Sequence, residues 1–196
     1  MEISWDLLNQ QIAACDKCGL CRNIHHKVPG QGNPHADLMF IGEGPGADED
    51  RQGLAFVGAA GQLLTKMIAA MGYTRDEVYI CNVVKCRPPQ NRVPAPEEAA
   101  ACMPYLRCQF SLVKPKVIVL LGATAARAVL GDQLRITRDR GKWVEKKGVY
   151  FMPTYHPAAL LRDESKKRDA WQDLKAVRDK LEEIKNAECG MRDSEL

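Results

Sequence analysis

Two cysteine pairs far apart in sequence constrain this chain most: Cys15-x2-Cys18 near its start and Cys86-x15-Cys102 past its middle. Soft thiolates in a set of four favour zinc or an iron–sulfur cluster over hard cations. Pairs so widely separated can hold one site only if the fold brings the N-terminal segment against a central loop. Cys21 extends the first pair to a ferredoxin-like run with no fourth cysteine nearby, and spacing alone leaves it open as a ligand. Cys81, Cys108 and Cys189 read as small residues without a special role.

At 196 residues and 45% hydrophobic content the chain can build one core without help from disulfides. Its formal charge of +3 permits an anionic partner without demanding one. The opening MEISWDLLNQQ lacks the basic and apolar regions of a signal peptide, and the longest apolar run, VIVLL, is too short to span a bilayer. The expectation is a cytoplasmic protein with no membrane contact, in which eight cysteines serve a metal or the core rather than disulfides.

ADLMFIGEGPG (36–46) is a buried strand running into a tight glycine turn, VYICNVVK (78–85) is a second strand and KVIVLLG (116–122) a third. KWVEKKGVYFMPTY (142–155) predicts a hairpin turning near Gly148 that delivers a last strand to His156. Helical spacing marks 58–72, 124–131 and Lys166 to Asn186. RPPQNRVPAPEE (87–98) predicts a stiff loop leading into a helix that Pro104 breaks or kinks at Met103. The fold class is α/β, three layers α/β/α around a mostly parallel four-stranded sheet. One domain covers 1–187, with a loose tail over 188–196. Sites in such sheets gather at the strands' C-terminal ends, which puts GEGPG, Asn82 and His156 near one crevice.

GEGPGADED (42–50), GLAFVG (53–58), YICNVVKCRPPQNR (79–92) and YHPAALLR (155–162), together with the spaced cysteines, resemble the iron–sulfur (family 4, type A) uracil-DNA glycosylases. The resemblance runs from about Cys15 to Leu181. It implies a uracil-DNA glycosylase-like fold and hydrolysis of the N-glycosidic bond of deoxyuridine, leaving an abasic site. It also implies a [4Fe–4S] cluster on Cys15, Cys18, Cys86 and Cys102, with Cys21 a bystander. The cluster is then a structural clamp for DNA-facing loops, since hydrolysis transfers no electrons, with redox tuning of DNA affinity left open.

Matched residue by residue, Phe56 stacks on the flipped uracil, Asn82 reads its N3–H and O4, and His156 supports the departing anion. Backbone N–H groups from Gly42 through Gly44 to Gly46 approach O2. The superfamily's best-known branch has a water-positioning aspartate where this chain has Gly44. Glu43, Asp48 and Glu49 are the nearby carboxylates open to that role, and Glu49 is open to excluding thymine's methyl group. No lysine in these motifs is placed as a Schiff-base nucleophile, which favours a monofunctional enzyme. DNA contacts are expected from Arg87, Arg92, Arg138, Arg140 and Arg162, with Ala159 and Leu160 entering the minor groove. The expected partner is uracil-containing DNA, single- or double-stranded, met by a monomer. Rival readings are a non-catalytic iron–sulfur nucleic-acid-binding or redox protein and a glycosylase for other deaminated bases.

Overall fold

The computed structural model describes residues 3–193. The chain forms β1 (Gln31–Gly32), β2 (Leu38–Gly42), β3 (Tyr79–Asn82), β4 (Val117–Leu121), β5 (Val144–Lys146) and β6 (Val149–Thr154). They assemble in the order β1-β3-β2-β4-β6-β5. The middle four are parallel, with Gly42 opposite Asn82, Phe40 opposite Val119 and Val119 opposite Met152. The two short edge strands are antiparallel to their neighbours. The sheet therefore has six strands rather than the expected four. β5 is the first arm of the hairpin expected over 142–155, while β1, with two residues, is too short to show a period in sequence.

Alternation along each strand divides the core into two. Met39, Ile41, Ile118 and Leu120 face one side, against Leu8 and Ile12 of α1 (Trp5–Ala13), and against residues of α4 (Pro96–Val113) and α5 (Ala123–Leu130). Leu38, Phe40, Val117, Val119 and Leu121 face the other. There they meet α3 (Ala59–Ala70) and the buried stripe Ala170, Leu174, Val177 and Leu181 of α8 (Lys167–Asp193). Each fully buried aliphatic side chain contributes about 1.5–3 kcal/mol, so apolar strands covered on both faces define the three layers. Three short helices complete the chain: α2 (Ala47–Gln52), α6 (Ile136–Asp139) and α7 (Pro157–Arg162).

α4 runs unbroken through Pro104, where a break or kink was expected. Both Pro104 and Ala100, whose carbonyl loses its helical partner, are exposed, so water can satisfy that carbonyl. α8 continues to Asp193, so residues 188–193 are helical where the sequence placed a loose tail; residues 194–196 lie outside the described residues. Among the described residues no helix is long and apolar enough to cross a membrane.

β2 is central, and the chain passes from it to β3 on one side and to β4 on the other. Such a reversal opens a crevice beyond the strands' C-terminal ends. Glu43, Asn82, Gly122 and His156 all line it.

Candidate active site

The crevice is a cavity of about 560 Å³. β2 ends in Gly42, where a Cβ would run into the Phe56 ring and Asn82 Oδ1. Glycine is thus required for an aromatic ring and an amide to pack together over the strand end. Asn82, directly across the ladder, is 1% exposed. Its Oδ1 is the one fully buried side-chain nitrogen or oxygen without a hydrogen-bond partner among the described residues. An acceptor left in that state costs about 1–3 kcal/mol, which marks the amide as shaped for something other than the free protein.

Phe56 is buried with φ of 52°, a left-handed conformation uncommon for a bulky residue. Its ring centroid lies 5.7 Å from that of His156. Three side chains hold the strained loop, Gln31 Oε1 accepting the Ala55 N–H at 3.2 Å. Arg75 donates through Nη1 to the Phe56 carbonyl at 3.0 Å and through Nη2 to the Ala55 carbonyl at 2.7 Å. Glu49 Oε1 accepts the N–H groups of Val57 and Gly58, each at 2.9 Å. Glu49 Oε2 accepts from Gly46 N–H at 3.2 Å, tying the glycine turn to the Phe56 loop. Gly61 completes the clamp, because a Cβ there would overlap the Phe56 backbone. Arg75 escaped the sequence reading: nothing local distinguishes it from a solvated arginine.

His156 caps α7, and its Nδ1 accepts the Ala158 N–H at 3.1 Å. Burial, reinforced by the Arg162 guanidinium and opposed by Glu49, pushes its pKa down to about 4. At neutral pH the ring is therefore uncharged, and with Nδ1 accepting, its proton sits on Nε2. Glu43 follows β2 and lines the cavity, and one of its carboxylate oxygens accepts from Thr124 Oγ1. Gly44 packs so closely on Val84 that a side chain would collide with it. Asp48 stands in the first turn of α2 and is bound by Arg51.

The expected DNA-facing residues divide. Arg92 lines the cavity while paired with Glu98 at 2.7 Å, Arg162 lines it from α7, and Arg87 donates to Asn91 Oδ1 at 2.8 Å. Arg138 is exposed and paired with Asp139. Arg140 departs from the expectation. It grips buried Asp173 with two bonds of 2.6 and 3.0 Å, and Thr154 Oγ1 donates to the same carboxylate, so its guanidinium is structural. Leu160 departs as well: it is 2% exposed and packs in the core beside α8, because a helix there turns it inward. Its neighbour Leu161, 46% exposed, is the outward apolar residue of α7.

Cys15, Cys18, Cys86 and Cys102 line a second, smaller cavity between the N-terminal segment, the loop after β3 and α4. Cys21 is not among them, and its Sγ approaches the Cys18 carbonyl at 3.2 Å. Burial and the neighbouring Cys102 thiol push the Cys86 thiol up to about 12, so as a metal ligand it would have to give up a proton. Among the described residues no three such donors converge closely enough for a single ion. The four thiols line one cavity instead.

A glycine turn, an aromatic, an orphaned amide and a neutral imidazole thus stand together at the switch point of a parallel sheet. Residues 29–175 match the family model of the uracil DNA glycosylase superfamily, and the chain belongs to that superfamily. Within it, the chain is 43% identical over 185 residues to the type-4 uracil-DNA glycosylase of Sulfurisphaera tokodaii, covering 90% of this chain and 84% of that one. It is 46% identical over 164 residues to the Thermotoga maritima type-4 uracil-DNA glycosylase, covering 82% and 84%. The Archaeoglobus fulgidus protein of the same name is 43% identical over 182 residues, covering 89% and 92%.

Proposed function

We propose that this protein is a monofunctional uracil-DNA glycosylase that flips deoxyuridine out of single- or double-stranded DNA and hydrolyses its N-glycosidic bond in base excision repair. The observation that carries this reading is the unpartnered Oδ1 of buried Asn82, at a cavity that also holds Phe56 and neutral His156. Uracil N3–H is the donor that oxygen lacks, and the amide N–H₂ suits uracil O4. Cytosine has an acceptor at N3 and a donor on C4, so both contacts would be mismatched and buried, the situation that gives strong discrimination.

Flipping the nucleotide costs a few kcal/mol, and stacking on Phe56 returns about 1–3 kcal/mol. The C1′–N1 bond then breaks with its electron pair staying on uracil, and negative charge grows on O2. His156 supports that charge as a neutral donor through Nε2–H, aided by backbone N–H groups of the Gly42–Gly46 turn. Water adds to C1′ and gives up a proton. Glu43, held by Thr124 at the cavity wall, suits that proton better than Glu49, whose two oxygens already accept three N–H groups. Glu49 is then a positioning residue. Leu161 rather than Leu160 is the residue suited to the space vacated in the duplex, with Arg162 next to it in the chain.

The four-cysteine cavity fits a [4Fe–4S] cluster on Cys15, Cys18, Cys86 and Cys102. When bound, such a cluster cross-links the N-terminal segment to the loop after β3 and contributes no step of the hydrolysis. Eight free thiols suit a cytoplasmic enzyme, and one chain holds every group the reaction needs, which suits a monomer. Incubation with oligonucleotides carrying one uracil or hypoxanthine, followed by hot alkali, tests the reading. Alkali-dependent cleavage at uracil is expected; an uncleaved uracil strand in both single- and double-stranded form would refute it.

A further inference from the structure

Lys85 is 1% exposed, and it is one of the largest fully buried side chains in the protein. Its ammonium donates to the Asn82 carbonyl and to Gln109 Oε1, each at 2.6 Å. The amide of Gln109 cannot turn, because its Nε2 donates to the Pro29 carbonyl at 2.6 Å and to the Tyr79 hydroxyl at 3.1 Å. Both partners of the ammonium are neutral. The buried carboxylates are engaged elsewhere: Asp50 with His25, Glu98 with Arg92, Asp173 with Arg140. A buried cation without an anion is costly enough that proteins rarely retain one.

The anionic group lies on the other side of the same residue. Lys85 lines the cavity of the four thiols, and its own backbone N–H donates to Cys102 Sγ at 3.3 Å. Four thiolates around an iron–sulfur core leave net negative charge in an apolar wall. Lys17 and Lys27 line that cavity too, Lys17 exposed and Lys27 half-buried beside the Ala13 and Cys15 carbonyls. Lys85 is the one of the three that is fully buried, and its side chain also grips the residue at the base-reading position.

We infer that Lys85 is the buried counter-charge of the cysteine site and, through the Asn82 carbonyl, a positioning residue for the base-reading amide. This rests on the reading of the four cysteines as cluster ligands and of Asn82 as the uracil reader. It makes occupancy of the cysteine site and the set of the uracil pocket parts of one electrostatic unit.

The test uses iron-loaded, full-length protein. Lys85→Met keeps length and apolar bulk and removes the charge, whereas Gln109→Glu leaves the lysine and sets a carboxylate against it. Film voltammetry gives the cluster potential, loss of visible absorbance under a chelator gives retention, and single-turnover excision gives chemistry apart from DNA binding. Lys85→Met should move the potential negative, speed cluster loss about tenfold, and slow excision about tenfold with DNA affinity within twofold. Gln109→Glu should move the potential the same way, and it carries the test if Lys85→Met does not fold. Wild-type potential and retention in the variants would overturn the role of Lys85. Wild-type protein lacking iron and acid-labile sulfide would instead overturn the cluster reading, and this inference with it.

Discussion

Replacing Asn82 by alanine should make the protein more stable and nearly inactive. In the free protein its side chain makes no hydrogen bond among the described residues, and its Oδ1 is sealed from water. Removing such an acceptor recovers about 1–3 kcal/mol. The truncation forfeits some packing, a few contacts at about 0.1–0.2 kcal/mol each. The net gain is about 1 kcal/mol, which for a chain of this size raises Tm by about 2–4 °C. Two lost contacts to uracil, each about 1–1.5 kcal/mol, lower kcat/KM by about a hundredfold. Calorimetry and single-turnover excision on one preparation read both quantities. A variant that melts lower and still excises uracil within fivefold of wild type would refute the reasoning, because Oδ1 would then be neither a liability nor a reader.

Four further substitutions follow from the same geometry. His156 titrates near 4 when folded against 6.5 when free, so between those values the unfolded chain holds the extra proton and stability rises with pH. Roughly 3 kcal/mol is lost on going from pH 7 to below pH 4 through this group, and His156→Gln should remove that slope from denaturant unfolding; an identical slope in the variant contradicts the assignment. Arg75→Met, which frees the Ala55 and Phe56 carbonyls, should slow excision about tenfold while DNA affinity in fluorescence titrations stays within threefold. Leu160→Ala should cost about 2–5 kcal/mol of stability as a core truncation. Leu161→Ala should stay within about 0.5 kcal/mol and slow excision from duplex more than from single strands, a contrast that equal losses on both substrates would remove.

The parallel heart of the sheet was legible because strands buried on both faces are continuous apolar runs, and β2 and β4 are such runs. Of the edge strands, Val144–Lys146 was legible as the first arm of the hairpin turning near Gly148, whereas Gln31–Gly32 is too brief to carry a pattern. α2 lies in an acidic stretch to which no element was assigned, although Asp48, Glu49 and Asp50 are what a helix's first turn favours. That omission concealed Glu49 as the strut of the Phe56 loop. Missing α7 had a similar effect, because only a helix tells which of two adjacent leucines faces inward. Arg140 and Asp173 stand 33 residues apart, and Lys85 and Gln109 stand 24 apart. Such pairings belong to tertiary structure and leave no local trace. The cysteines were a middle case: spacing assembled the set and left Cys21 open, the family resemblance set Cys21 aside, and Cys21 does not line the cavity of the other four.

The most direct test is a crystal structure of the enzyme with uracil and abasic DNA bound. Uracil should lie over Phe56 with N3–H on Asn82 Oδ1 and O2 at His156 Nε2, filling the acceptor left open in the free protein. Uracil bound elsewhere, or in this cavity with Asn82 Oδ1 still unpartnered, would contradict the account.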